Sequence, residues 1–174
     1  SLDGGRRLEQ AAADAVMARQ VHGLHHGCGD GRGEGASAVG AYDHSRHVVV
    51  MNPAVPAGAM HQREWTRTIT HELIHAFDAC RVRLDPADCR HIACTEVRAA
   101  NLSGDCDLGA EYGRLGARML TSIAGHQQVC VRRRAELSVR MHPACTALGP
   151  AGVRDVVDAV YTSCYADAKP FLHN

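Results

Sequence analysis

Apolar and polar residues follow one another along this chain in patterns that predict a helical protein with one β-hairpin. Residues 8–21 are Ala-rich, with apolar positions near helical spacing, and predict an N-terminal helix. A glycine-rich loop at 27–35 separates this helix from residues 37–51, where two short strand-favouring runs flank a polar turn at 43–45. The valine run 48–50 is strongly β-prone, so we expect a hairpin there.

The rest of the pattern indicates four more helices. The run from Thr68 to Phe77 carries no charge except that of Glu72, which predicts a buried helix over 61–80. Further helices are predicted at 89–102, 127–141 and 151–165. The last two are joined by a short turn that contains Pro and Gly, so we expect them to form an antiparallel helical hairpin. This order of elements predicts an α+β fold that is mostly helical.

Length and composition limit the classes of protein that this chain can belong to. Its 174 residues predict one domain, 1–174, with a substantial core. The formal net charge is zero, with 19 basic and 19 acidic residues, which argues against non-specific binding to nucleic acid. No stretch approaches the ~18 consecutive apolar residues of a membrane span. The chain starts at Ser1 without methionine or a signal-like apolar segment, so we expect a trimmed or processed form, with any targeting sequence outside it.

Residues 71–75 read His-Glu-Leu-Ile-His, which is the H-E-x-x-H pattern. Positions i and i+4 of a helix share a face, so His71 and His75 can hold one Zn²⁺, and Glu72 can reach a water on that metal as a general base for peptide hydrolysis. The alternative is a buried helix whose histidines only hydrogen-bond. A hairpin before such a helix is the element order of zincin-like peptidases, in which an edge strand holds the substrate backbone. Val48–Met51 would be that strand, unless the hairpin simply packs on the core.

Glu96 is the best candidate for the third protein ligand that a catalytic zinc requires. It lies on the next predicted helix, with twenty residues between it and His75, and this spacing suits a helix–loop–helix return. Its neighbours are largely apolar, and a lone charge among them is costly unless it is paired or bound to a metal. The alternative is an ion pair of Glu96 with Arg98 or Arg81. His91 is the second candidate for the ligand.

Other polar side chains are candidates for supporting roles. His91, Arg98 and Tyr112 are candidates for the donor that stabilises the developing oxyanion together with zinc. Asp78 lies on the same helical face as both histidines of the motif. It is too close along one helix to complete a tetrahedron, so we expect it to hold an imidazole in place or to pair with Arg81.

The chain contains eight cysteines, an even number. They are Cys28, Cys80, Cys89, Cys94, Cys106, Cys130, Cys145 and Cys164. No two of them form a C-x-x-C pair, which argues against a zinc ribbon. Scattered cysteines in an even number favour disulfides and an oxidising compartment over free thiols in a reduced cytosol.

Two disulfides are predicted from the expected helices. Cys130 and Cys164 come level with each other in the antiparallel C-terminal pair, which predicts the bridge Cys130–Cys164. Cys80 ends the H-E-x-x-H helix and Cys89 starts the next one, which predicts a second bridge, Cys80–Cys89. Each bridge requires Cα atoms within about 7 Å of one another.

Two segments resemble one known family, the mitochondrial inner-membrane metalloproteases that mature and help to assemble ATP synthase. Residues 70–78 resemble the active-site stretch of that family, and residues 90–106, which include His91 and Glu96, are nearly its second signature. Further similarity is found at 130–135, at 137–138 and at positions within 156–171. The resemblance extends over residues 15–172.

The resemblance implies a zinc endopeptidase of the mitochondrial intermembrane space that is attached peripherally to the inner membrane. His71, Glu72 and His75 are the catalytic positions that it carries over. In fungi the family removes the prosequence of the hydrophobic membrane subunit of the ATP synthase proton channel, and separately acts as a chaperone in the assembly of that subunit. Vertebrate members have also been described as Ku-binding proteins. The family's cysteines form disulfides, in agreement with the cysteine count here.

The chain departs from the family at its cysteines. Relatives often carry a C-x-x-C pair before the hairpin, where Cys28 stands alone here, and a cysteine in the hairpin strand, where residues 50–52 have none.

The sequence leaves three functions open: an active zinc endopeptidase, a protease-independent chaperone or assembly factor, and a nuclear interaction protein. The intact motif favours the first, because a scaffold has no need for Glu72, and the cysteine usage argues against a nuclear site.

Overall fold

The computed structural model describes residues 39–52, 55, 58, 60–115 and 125–171. The predicted helix 8–21, the glycine-rich loop and the start of the predicted hairpin lie outside these residues. In chain order the elements are the strands β1 (Gly40–Asp43) and β2 (Val48–Met51), the helices α1 (Gln62–Arg81), α2 (Cys89–Leu102), α3 (Leu108–Leu115) and α4 (His126–Met141), the 3₁₀ helix Pro143–Leu148, and the helix α5 (Gly149–Ala166).

The α+β prediction is confirmed, because a two-stranded sheet precedes a set of packed helices. The four helices predicted after the hairpin are all present, with bounds that differ by at most two residues from those expected. Helix α3 and the 3₁₀ helix were not predicted. None of the described helices combines the length and the apolar character that a membrane span requires.

The chain divides into two compact units. One unit comprises Gly40–Val50 and His61–Asn174, and it contains the helices described above. The other comprises Ser1–Val39 and Met51–Met60, of which only a few residues are described. The single domain expected for 1–174 stays a prediction.

Local polar contacts define the ends of the two helices that carry the motif residues. His61 is the N-cap of α1, and the carboxylate of Glu64 accepts a hydrogen bond of 2.8 Å from its backbone N–H. Asp88 is the N-cap of α2, and its carboxylate accepts from the backbone N–H of Arg90 at 2.8 Å. These contacts satisfy helix N–H groups that have no partner within the helix, so both helices begin where the sequence predicts.

Helix α2 lies at the centre of the packed helices, in contact with α1, α4 and α5. Many of its buried residues are small, among them Ala93, Val97, Ala99 and Ala100. The facing helices contribute mostly valines and alanine to the same cluster: Val131, Ala135 and Val139 from α4, and Val153 and Val157 from α5. Small side chains on α2 let three helices approach it closely. The side chains of α2 that face α1 are therefore held in fixed positions beside it.

Three disulfides connect α2 and the turn that follows it to the rest of the helical unit. They are Cys89–Cys145, Cys94–Cys164 and Cys106–Cys130, with Cα atoms 5.8, 5.4 and 5.6 Å apart. The expectation that the cysteines form disulfides is therefore confirmed for these six. Each bridge has one cysteine between residues 89 and 106, so this segment is anchored at three points.

Both predicted pairings are wrong. The Cys130–Cys164 prediction assumed that the two cysteines face each other across α4 and α5, but Cys164 bonds to Cys94 on α2, and Cys130 bonds to Cys106 in the turn after α2. The Cys80–Cys89 prediction assumed that helix ends adjacent in sequence bring their cysteines together. Instead Cys80 is exposed and unpaired, and Cys89 turns toward the 3₁₀ helix.

Candidate metal and catalytic site

Helices α1 and α2 bring three potential metal ligands together. His71 and His75 lie one turn apart on α1, and Glu96 faces them from α2. The Nε2 atom of His71 is 3.6 Å from Oε2 of Glu96, and the Nε2 atom of His75 is 3.6 Å from Oε1 of the same carboxylate. The ligand atoms of the three side chains all lie within 4.8 Å of one another.

This set of donor atoms fits a divalent metal ion. Oε2 of Glu96 is buried and makes no hydrogen bond within the described residues. An unpaired buried oxygen costs free energy, and a cation between the three side chains would remove that cost. Two imidazole nitrogens and one carboxylate oxygen leave an open coordination position, as a catalytic metal requires. The alternative of an arginine partner for Glu96 is wrong, because Arg81 and Arg98 pair with Asp78 instead.

The ring of His75 is fixed in the tautomer that metal binding needs. Its Nδ1 atom lies 2.9 Å from the hydroxyl oxygen of Thr95, which donates its own hydrogen to Oδ2 of Asp78 at 3.0 Å. Because the hydroxyl has one hydrogen and gives it to Asp78, it accepts from the Nδ1–H of His75. The Nε2 atom of His75 therefore keeps its lone pair free on the side of Glu96.

The ring of His71 is held by a charged group. Its Nδ1 atom lies 3.5 Å from Oδ2 of Asp105, the residue that follows the turn at the end of α2. Gly104 adopts φ +82° in that turn, a left-handed conformation that glycine adopts without strain. This turn brings the carboxylate of Asp105 back toward α1.

Burial and nearby charges shift the pKa values of the site in opposite directions. Burial alone would lower the pKa of His71, but the carboxylates of Asp105 and Glu96 outweigh it and raise that pKa to about 10. Burial lowers the pKa of His75 to about 4. Burial would raise the pKa of Glu96, but the imidazoles of His75 and His71 outweigh it and lower that pKa to about 2. Without a metal, His71 is therefore a positively charged imidazolium that faces the carboxylates of Asp105 and Glu96.

Glu72 lies next to the ligands and is only 7% exposed. Burial raises its pKa to about 7, against the opposing effect of His71 and of a backbone hydrogen bond from the N–H of Tyr42. Tyr42 belongs to β1, which packs against α1. The strand that reaches Glu72 is therefore β1. The role of Val48–Met51 as the strand that holds a substrate backbone stays a prediction.

The structure places the predicted supporting residues in different surroundings. Asp78 pairs with Arg81 as expected and also reaches His75 through Thr95. Arg98 is 1% exposed, and its guanidinium is engaged by Asp78 and by the backbone carbonyls of Asp167 and Lys169. None of these contacts is with His71, His75 or Glu96.

The other two predicted donors, His91 and Tyr112, lie on α2 and α3. His91 accepts a hydrogen bond of 3.0 Å from the backbone N–H of Asp85 at the start of α2, and it is not part of the ligand group. Tyr112 is 58% exposed on α3.

Sequence reasoning missed Thr95 and Asp105, the residues that contact the two Nδ1 atoms. One signal could have found both: Thr95 precedes the candidate ligand Glu96, and Asp105 lies nine residues after it in a segment with little other charge. Such placement becomes informative only once α2 is known to pack directly on α1.

Comparison with known proteins agrees with this geometry. The sequence model of the Peptidase M76 family matches residues 14–172. The chain is 40% identical to the human mitochondrial inner membrane protease ATP23 homolog over 148 residues, which cover 84% of this chain and 55% of the relative. It is 43% identical to the mitochondrial inner membrane protease ATP23 of Saccharomyces cerevisiae over 104 residues, which cover 60% of this chain and 45% of the relative.

A third relative is also named as a mitochondrial inner membrane protease. The mitochondrial inner membrane protease ATP23 homolog of Xenopus laevis is 45% identical over 111 residues, which cover 63% of this chain and 44% of the relative. The chain thus spans about half the length of the curated relatives it matches. No solved structure matches it.

Proposed function

Since this chain belongs to the Peptidase M76 family, we propose that it is a zinc-dependent endopeptidase. His71, His75 and Glu96 hold the metal, and Glu72 is the general base. The observation that carries this proposal is the convergence of two Nε2 atoms on both oxygens of Glu96, beside a buried Glu72. A zincin-like arrangement, with a strand next to the H-E-x-x-H helix, agrees with the proposal.

The residues of the chain divide the chemistry among them. Zinc, when bound, supplies a Lewis acid and lowers the pKa of water toward about 7. Glu72 takes the proton from the attacking water and passes it to the leaving amine. A carboxyl whose pKa burial has raised is suited to both steps, because it can accept and return a proton near neutral pH.

We propose that the substrate is a polypeptide bound in extended form along β1. Among the described residues β1 pairs only with β2, and it lies against α1 at Glu72. A peptide added to the other edge of β1 would pass beside Glu72. Ile69 and Leu73 are 40% and 54% exposed on α1, and they offer apolar contacts to a hydrophobic substrate.

The proposed substrate is the precursor of a hydrophobic membrane subunit of ATP synthase. The relatives are named as proteases of the mitochondrial inner membrane, and the resemblance noted in the sequence implies this class of substrate. The proposed location is the intermembrane space, peripheral to the inner membrane. Three disulfides support an oxidising compartment of this kind.

The test compares wild type with Glu72→Gln on the purified subunit precursor and on an unrelated unfolded protein. We expect Glu72→Gln to lose cleavage while retaining one bound zinc, because Glu72 acts on water and not on the metal. Glu136→Gln on α4 is the matched control and should cleave as wild type does. Loss of zinc from Glu72→Gln, or cleavage at the wild-type rate by that variant, contradicts the assigned role.

The same variant separates the peptidase from a protease-independent chaperone or assembly factor. If the main role is assembly, Glu72→Gln will support formation of the ATP synthase membrane sector as well as wild type does. If the main role is proteolysis, uncleaved precursor will accumulate in cells that carry only this variant. The measurement is the amount of assembled enzyme and of precursor in membranes from the two strains.

A further inference from the structure

We propose that Asp105 is a positioning residue for the metal site: its carboxylate sits behind His71 and sets the orientation in which Nε2 of that ring faces the ion. The inference rests on the proposed metal site of His71, His75 and Glu96. It adds to that site a residue from beyond the end of α2, outside the H-E-x-x-H motif.

The geometry places Asp105 on the opposite side of the imidazole from the other ligands. Oδ2 of Asp105 is 3.5 Å from Nδ1 of His71, while Nε2 of the same ring faces Glu96 at 3.6 Å. Asp105 is only 8% exposed, and Nδ1 of His71 is itself buried. A separation of 3.5 Å is an ion-pair distance rather than a short hydrogen bond. Because Asp105 faces Nδ1 and not the Nε2 atom that faces Glu96, it acts on the ring and not as a ligand of the ion.

Two arginines from different helices fix this carboxylate. Arg134 of α4 donates from Nη2 to Oδ2 of Asp105 at 3.0 Å. Arg114 of α3 donates to the backbone carbonyl of Asp105 at 2.6 Å and lies 3.5 Å from its Oδ1. A carboxylate that is held from two sides can hold an imidazole without moving itself. Asp105 thus connects His71 to helices that make no direct contact with the proposed ion.

The two histidines are supported in different ways. His75 donates to the neutral hydroxyl of Thr95, whereas His71 faces an ionised carboxylate. A carboxylate behind a metal-binding imidazole fixes the ring and makes it a stronger donor. The loss of Asp105 is therefore expected to weaken metal binding itself and not only the packing of the helices.

A merely structural role for Asp105 is a definite alternative, because Asp105 also joins α3 and α4. Glu111, a buried carboxylate of the same cluster, serves as the control for this structural role. Glu111 is 4% exposed and pairs with Arg114 and Arg133, in the same arginine cluster, but within the described part of the chain it forms no ion pair with either histidine. Replacing Asp105 and replacing Glu111 therefore remove similar ion pairs, and only the first removes a partner of His71.

The experiment measures the Zn²⁺ affinity of the purified protein by competition with a chromophoric chelator. We expect Asp105→Asn, which keeps the side-chain shape, to bind Zn²⁺ about 10–100-fold more weakly than wild type. Arg134→Met keeps the carboxylate of Asp105 but removes one of the two arginines that fix it, so we expect a smaller loss of Zn²⁺ affinity. Glu111→Gln should keep the wild-type affinity. Thermal unfolding of the metal-free proteins reports any common loss of stability.

Several outcomes overturn the inference. Wild-type affinity in Asp105→Asn shows that His71 needs no such support, and an equal loss in Glu111→Gln makes the effect structural. A changed coordination number in the Co²⁺ spectrum of Asp105→Asn makes Asp105 a ligand. If wild type itself binds no Zn²⁺, the proposed function fails together with this inference, so the two failures are distinguishable.

Discussion

At the scale of single residues, the proposed general base is held in a position that costs folding stability. Glu72 is 7% exposed, and burial raises its pKa from 4.5 to about 7. The folded metal-free protein therefore binds this proton more tightly than the unfolded chain does. Between pH 4.5 and pH 7 stability falls as the pH rises, because ionised Glu72 is more favourable in the unfolded chain.

Glu72→Gln should therefore stabilise the metal-free protein in a pH-dependent way. Near pH 4 the carboxyl is protonated in both states, so the variant and wild type should differ little. Above pH 7 the variant should be more stable by ~1–3 kcal/mol, since it carries no charge to bury. Urea unfolding of both metal-free proteins at several pH values measures the difference. A difference that does not change with pH would show that burial does not perturb Glu72.

Glu96→Ala and His91→Ala separate the two candidates for the third ligand. Glu96 faces both Nε2 atoms, whereas His91 is occupied by the backbone of Asp85. We expect Glu96→Ala to lose more than about 100-fold in Zn²⁺ affinity, which exceeds the typical effect of residues that only orient ligands. His91→Ala should bind zinc as wild type does. The reverse order would assign the third position to His91.

The residues of the motif could be predicted from the sequence, but the residues behind them could not. His71, Glu72 and His75 follow from spacing along one helix, and Glu96 from a charge in an apolar stretch. Asp105 reaches His71 only through the turn at Gly104 and the packing of α2 on α1, neither of which spacing alone reveals. A pattern within one helix is local information, whereas a contact between helices depends on how they cross.

At the scale of elements, the four long helices and the hairpin were predicted, whereas the short helix α3 and the 3₁₀ helix were not. Helices α1 and α2 carry long uncharged or small-residue faces, which identify them. Helix α3 has eight residues and includes Gly109 and Gly113, which lower its helix propensity. The disulfides were mispaired because sequence gives the level of a cysteine along a helix, while the bridge depends on which neighbouring helix the cysteine faces.

The bridge between α2 and α5 should contribute strongly to stability. Cys94 and Cys164 are 70 residues apart in sequence, and their bridge restricts a long loop in the unfolded chain. Replacing both with alanine should lower the free energy of unfolding by roughly 2–4 kcal/mol. Cys80→Ala is the control and should leave stability unchanged, since Cys80 is exposed and unpaired. Chemical unfolding of the oxidised proteins gives both values.

Peptide mapping without reduction checks the pairing itself. Fragments that contain Cys94 should remain linked to fragments that contain Cys164, and those with Cys106 to those with Cys130. A fragment that links Cys130 to Cys164 would contradict the arrangement of α4 and α5 around α2.

At the scale of the whole molecule, the two helices of the metal site are anchored very differently. All three disulfides between described residues have one cysteine within residues 89–106, so α2 and the turn after it are bound covalently to α4, α5 and the 3₁₀ helix. Among the described residues no disulfide reaches α1, which bears both histidines. The proposed ion would therefore add a strong link between α1 and α2, beside the buried ion pair of Asp78 with Arg98.

This unequal anchoring has a consequence for the order in which the protein opens. Amide hydrogens of α2 should exchange with solvent deuterium only when the whole helical unit unfolds, whereas those of α1 can exchange through a local opening of lower free energy. Saturating zinc should slow exchange in α1 far more than in α2, because binding removes the opened state from the equilibrium. Equal slowing in both helices would mean that they open together. If α1 opens alone, the cross-linked helices stay folded and keep Glu96 in position, so the metal site can form again as soon as α1 refolds with its two histidines.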